Sequence, residues 1–298
     1  MEQVPRILGK YEGEKGGPLL LVTAGVHGNE PSGVLALREI FKELEEKKPP
    51  MKGTFIGIAG NQEGLRHRKR FIDEDLNRTW TQEKLHRPPE TQEEKEMHQI
   101  IDILKDYGPD KYPQRYFVDC HTTSSNSLPY ISVQDVGVNN EFAHRFPVYI
   151  VKGFSDIVDG SIDKYFSQQG LTGFTFEGGQ HDAEETQRNQ ESLIWLALKK
   201  ACDLKLEGLS CYPGCYEVFA RQYPEGQKTF EIIHRHGLEK GDQFEMRPGF
   251  ENFEQIQQDQ LLATQNEKEI RSRWDATIFM PLYQSQGNDG FFIIKQVQ

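Results

Sequence analysis

Only four cysteines (Cys120, Cys202, Cys211, Cys215) are spread through 298 residues, too few and too scattered for a disulfide framework. They predict free thiols in a reducing compartment. Cys211 and Cys215 lie near each other, but no second Cys/His pair stands at finger-like spacing, so they read as packing residues. Long apolar runs are missing too. No stretch approaches the roughly 20 residues of a membrane span, and the opening MEQVPRILGKYEGEK contains no apolar leader core. A soluble, cytoplasmic protein with no membrane partner is the expectation. Positive charge is in deficit, with 35 Lys and Arg against 46 Asp and Glu and a net charge of −11. Nucleic acid and anionic lipid both call for a basic face, so the balance favours a small-molecule partner. The sequence has no internal repeat and no biased segment beyond the solvated Glu/Lys run at 43–48.

What is present is an alternation of strand-like and helix-like segments. Residues 19–23 read as a buried strand, Val34, Leu37, Phe41 and Leu44 recur at helical spacing after Pro31, and 54–59 is strand-like again. Thr91 is a candidate N-cap with Glu94 three residues on, followed by the apolar stripe Met97, Ile100, Ile101 and Leu104. Strands follow at 116–120, 130–133, 148–151 and 173–176, with helices at 161–168 and 184–202. Such alternation predicts an α/β fold with helices on both faces of a largely parallel sheet. After residue 204 short β-prone runs dominate, at 215–220, 230–236, 277–281 and 290–294. The chain therefore divides into an α/β domain over 1–205 and a small C-terminal β-rich domain over 206–298.

Residues 19–30, LLLVTAGVHGNE, end an apolar strand in His27 and Glu30, three positions apart. Imidazole nitrogen and carboxylate oxygen are zinc ligands, and a catalytic site uses three protein ligands with one position open. Gly25 and Gly28 permit tight turns around the pair, and Pro31 suits the start of a helix. A bare His-x-x-Glu by itself fits a solvated loop better than a metal site. His121 is the third ligand candidate, directly after the strand at 116–120, and alternation turns Asp119 to the same face as a partner for its imidazole. Of the nine histidines only His27 and His121 end apolar strands of the α/β part, where open sheets place their ligand crevices. His234 and His236 share a strand face, which solvation explains more simply than a metal. Arg66, Arg68, Lys69, Arg70 and Arg78 crowd into thirteen positions of an acidic chain. Solvation is again the plain explanation, yet a guanidinium beside the Asn77 amide suits a two-point grip on a carboxylate. Glu177 ends a strand and precedes Gly178 and Gly179, which fits a turn glutamate and a general base equally.

Taken in order, His27-Gly-Asn-Glu30, the DLNR at 75–78, the DCH ending in His121 and the FEGG containing Glu177 resemble the succinylglutamate desuccinylase/aspartoacylase family of the zinc carboxypeptidase superfamily. The resemblance implies a zinc-carboxypeptidase-like mixed sheet with helices on both faces, capped by a β-rich domain. It implies one zinc per chain on His27, Glu30 and His121, Glu177 as general base, and Arg70 polarising the scissile carbonyl. Asn77 and Arg78 would hold a carboxylate of a small-molecule substrate. Two departures bear on specificity. Ser167 stands where aspartoacylases carry an arginine ten residues before the glutamate, and the segment GNDGFFII offers Phe291 and Phe292 where a substrate-facing tyrosine is expected. N-acetylaspartate should then be a poor substrate unless another arginine, such as Arg188, takes over. The leading expectation is a zinc amidohydrolase of N-acyl amino acids. A metallocarboxypeptidase and a non-catalytic zinc-binding protein are the alternatives, and a homodimer is compatible with either.

Overall fold

The computed structural model describes residues 4–154 and 157–298. Fourteen strands and eight α-helices are assigned among them. The strands are β1 (Ile7–Glu12), β2 (Glu14–Ala24), β3 (Lys52–Ala59), β4 (Arg115–Thr123), β5 (Tyr130–Ser132), β6 (Tyr149–Lys152), β7 (Thr172–Gln180), β8 (Thr229–Gly237), β9 (Phe244–Met246), β10 (Gln255–Ile256), β11 (Leu261–Gln265), β12 (Lys268–Arg271), β13 (Ala276–Phe279) and β14 (Asp289–Gln296). The helices are α1 (Ser32–Lys47), α2 (Gln62–His67), α3 (Gln82–Leu85), α4 (Gln92–Lys105), α5 (Asn139–Ala143), α6 (Ile162–Gln168), α7 (Glu184–Cys202) and α8 (Gly214–Gln222). No helix among the described residues is long and apolar enough to cross a membrane.

Eleven strands make one mixed sheet in the order β1-β3-β2-β4-β7-β5-β6-β8-β14-β13-β10. At its centre β3, β2, β4 and β7 run parallel, so their carboxyl ends open along one edge. The alternation in LLLV explains why these strands are buried on both sides. Leu20 and Val22 pack into a core that includes Val34 and Leu37 of α1 and Leu193 and Ile194 of α7. Leu19 and Leu21 face the opposite core, with Met97 and Ile100 of α4 and Ile162 and Phe166 of α6. Helices thus cover both faces, as the sequence pattern predicts. Thr91 does cap α4, its side chain accepting the Glu94 N–H at 3.2 Å.

The first run of the tail differs from expectation. Residues 215–220, read from sequence as a β-prone run, lie inside helix α8. Cys215, Phe219 and Tyr223 recur every fourth position and are all buried, and Pro213 directly precedes the helix. The helical period outweighs the β propensity of the individual residues, because α8 buries that stripe against α7. The other three runs are strands, but β8, β14, β13 and β10 extend the main sheet, and only β9, β11 and β12 form a separate sheet.

Candidate active site

The loop after β2 brings the first two candidate ligands to the open edge of the sheet. Gly25 has φ +68°, and a Cβ on Gly28 would lie 1.9 Å from the backbone of Gly64; both positions therefore require glycine. The Gly28 N–H donates to Arg70 O at 3.1 Å, which ties this loop to the basic segment. His27 Nδ1 lies 2.8 Å from Glu30 Oε1, and His121 Nδ1 lies 3.2 Å from Glu30 Oε2. One ligand atom from each of His27, Glu30 and His121 falls within 4.8 Å of the others, and all three residues are buried.

Each imidazole is held from behind by a carboxylate. His121 Nε2 is 2.8 Å from Asp119 Oδ2, the partner that strand alternation predicts, and Asp119 in turn accepts from Thr23 Oγ1 at 2.5 Å. His27 Nε2 is 3.1 Å from Asp75 Oδ1, a partner the sequence reasoning missed although Asp75 stands in the DLNR motif. With the outer nitrogens occupied, both inner nitrogens turn toward the same point. That is the arrangement metal-ligating histidines adopt. Electrostatics agree. Burial alone would lift Glu30, but His27 and His121 more than offset it and hold its carboxyl well below the usual range. Burial alone would lower His121, yet Asp119 and Glu30 raise it well above its ordinary value. The cup favours a positive charge at its centre, and its donor set of two imidazoles and one carboxylate suits zinc.

Glu177 is the residue opposite His121 in the β4–β7 register. It is 7% exposed, and its Oε2 has no partner among the described residues. Burial is the main cause that raises its carboxyl to about 8, with His121 opposing and Glu30 adding to the shift. A carboxylate desolvated beside a cationic site is suited to exchanging protons near neutral pH.

The basic segment divides into separate roles. Arg70 donates to Asp75 Oδ2 through Nε at 3.2 Å and Nη2 at 2.9 Å, and its Nη1 lies 3.6 Å from Glu30. Burial works against its charge, but Asp75, Glu30 and Glu177 more than restore it. The loop carrying Arg70 is anchored by buried Glu93 of α4, which accepts the N–H groups of Ile72, Asp73 and Glu74 at 2.7, 3.1 and 3.2 Å. Arg78 Nη1 donates to Asn77 O at 2.7 Å and Nη2 to Asp289 at 3.1 Å. Asn77 Oδ1 accepts the Ile162 N–H at 2.9 Å, which orients its amide. Arg66 is exposed and pairs with Glu63 at 2.7 Å, outside the site.

His27, Glu30, His121, Glu177, Arg70, Asn77 and Arg78 all line one cavity. Leu282, Asp289 and Phe292 close it from the C-terminal part of the chain. Phe291 does not line it; its ring stacks on His236 at 4.8 Å. His236 also meets Gln265 at 2.8 Å and His234 packs by Trp274, so this pair serves the β-rich part. Arg188 lines other surface grooves rather than this cavity and does not replace the absent guanidinium. Ser167 is likewise outside the lining, bonded to Asp163 O and Asn139.

A family model described as the succinylglutamate desuccinylase/aspartoacylase catalytic domain matches residues 16–199. An N-acyl-aromatic-L-amino acid amidohydrolase (carboxylate-forming) of Xenopus laevis is 30% identical over 107 residues, 36% of this chain and 35% of that protein, so the match spans about a third of the relative's length. A solved succinylglutamatedesuccinylase/aspartoacylase from Rhodobacter sphaeroides superposes with a TM-score of 0.69 at 17% identity, over 97% of this chain and 88% of that one. Murine aminoacylase 3 does so with 0.61 at 16%, over 94% and 95%. At these identities the structural likeness speaks for the fold.

Proposed function

The chain belongs to the succinylglutamate desuccinylase/aspartoacylase family, and from that premise we propose that it is a zinc-dependent amidohydrolase that cleaves the amide bond of an N-acyl amino acid. The observation that carries this reading is the His27, Glu30, His121 cup with buried Glu177 set opposite His121, its Oε2 without a partner among the described residues. His27 Nδ1, Glu30 and His121 Nδ1 would hold one zinc ion per chain. The chemistry such an ion supplies is a bound water of pKa near 7 and Lewis-acid polarisation of a carbonyl. Glu177 takes a proton from the attacking water and delivers it to the departing amine nitrogen. Arg70, fixed by Asp75, donates to the oxygen of the scissile carbonyl. Asn77 and Arg78 take the substrate carboxylate, each already oriented through its other polar atoms.

The orphan base favours turnover over mere metal binding, because a binder has no use for a desolvated carboxyl beside its ion. Closure of the cavity by Leu282, Asp289 and Phe292 favours a small acylated amino acid over a peptide, with residues 206–298 acting as the cap. The test is a turnover panel of N-acyl amino acids and C-terminal dipeptides, with metal content measured on the same preparation. Hydrolysis of the acylated amino acids in proportion to zinc is expected. Turnover of the peptides alone would overturn the deacylase reading.

A further inference from the structure

The floor of the cavity carries two buried hydrogen-bond acceptors, Asp163 and Gln134. Asp163, the second residue of α6, is 3% exposed. Its Oδ1 accepts from Ser161 Oγ at 2.5 Å and Lys164 N–H at 2.8 Å, and its Oδ2 from Gln134 Nε2 at 2.8 Å. A carboxylate offers about four acceptor positions, which leaves one open on Oδ2. Gln134 is 2% exposed and its Oε1 has no partner among the described residues. Both residues line the cavity. Two buried acceptors therefore line one cavity in which no described residue supplies a donor to Gln134 Oε1, and buried acceptors of this kind are stable when a ligand brings the donor.

The floor is tied to the proposed carboxylate grip. Asn77 Oδ1 accepts the N–H of Ile162, the residue next to Asp163. Thr175 also lines the cavity and shares the face of Glu177 two positions further along β7. A substrate held by its carboxylate at Asn77 and Arg78, with its amide at Glu177, presents its side chain to Asp163 and Gln134. The only arginines or lysines among the described lining residues are Arg70 and Arg78, and both already face a carboxylate. An acidic side chain on the floor would meet Asp163 with no cation to neutralise either charge.

We propose that Asp163 and Gln134 form the subsite for the side chain of the substrate's amino acid, and that it selects a side chain ending in N–H donors, an amino group before an amide. This rests on the deacylase reading of the site. It reverses the charge preference that an arginine at position 167 would impose.

Nα-acetyl derivatives of L-ornithine, L-glutamine, L-norvaline and L-glutamate have side chains of similar length and differ in the end group, which makes them the test series. The expected order of kcat/KM is ornithine, glutamine, norvaline, glutamate, with ornithine about 100-fold or more above norvaline. Asp163→Asn and Gln134→Met should each cut the ornithine-to-norvaline ratio by about tenfold, with thermal midpoints verifying that the variants fold. Binding of free ornithine and free norvaline to the zinc-loaded parent protein, read by calorimetry, ranks the subsite without turnover. If no acyl amino acid is hydrolysed while free ornithine still binds the tighter, the deacylase reading falls and the subsite stands. If the series is hydrolysed with norvaline or glutamate first, or without order, the subsite is overturned and the deacylase reading stands.

Discussion

Asp289, the first residue of β14, accepts from Arg78 Nη2 at 3.1 Å, joining residues 211 positions apart. The same carboxylate accepts from Arg235 Nε at 2.5 Å through its other oxygen. One acid from the C-terminal part thus aims the guanidinium that the proposed substrate grip depends on. Asp289→Asn should raise KM about three- to tenfold and leave kcat within about twofold, because an interaction made equally in ground and transition states is lost. Steady-state kinetics check this. A fall in KM would mean that Asp289 competes with the substrate for Arg78 and does not position it.

Asp119 should matter to the metal more than to the fold. Outer carboxylates behind a ligating histidine typically contribute about 10- to 100-fold in metal affinity. Asp119→Asn keeps the shape and the hydrogen bond but removes the charge 2.8 Å from His121 Nε2. Competition titration with a chelator should show zinc bound more weakly by that factor. Unchanged affinity would detach Asp119 from the metal site.

Zinc uptake should release protons. His121 is raised well above its ordinary value by Asp119 and Glu30 against the effect of burial, and burial raises the Glu177 carboxyl to about 8, so both shifts favour the protonated form in the metal-free protein. An incoming cation must displace the first and repels the second, hence about one to two protons leave per zinc at pH 7. The sign follows: affinity climbs with pH through neutrality and flattens once both groups are deprotonated without the metal. Calorimetry in buffers of different ionisation enthalpy counts the protons. A count of zero would show that His121 is already neutral and that the cup is not held together as described.

Much of this site was legible because its chemistry sits at the ends of buried parallel strands. His27, His121 and Glu177 follow apolar runs directly, and the period-two alternation of β4 predicts the Asp119–His121 contact from sequence alone. Partners reached through strand order or loop packing left no such trace. Asp75 meets His27 only when the basic loop folds back under Glu93, and nothing local marks Glu93 as the acceptor for three backbone N–H groups. Asp289 reaches Arg78 because β14 joins the main sheet through β8, a pairing that no local pattern announces. Helix α8 was misread because six β-prone residues outweighed a three-residue stripe at every fourth position, whose burying surface, α7, the sequence does not display. Asp163 lies in α6 and Gln134 in the loop after β5, so no spacing could announce their contact.

Glu177→Gln, assayed for zinc and turnover on one preparation, separates proton transfer from metal binding. The amide keeps the volume and removes the proton-carrying group, so the metal should stay at one per chain. General acid and base catalysis typically contributes about 10² to 10⁴ in rate, and kcat on the best N-acyl amino acid should fall by at least that factor. A variant that binds zinc normally and retains a tenth of the parental kcat would show that Glu177 does not move the proton.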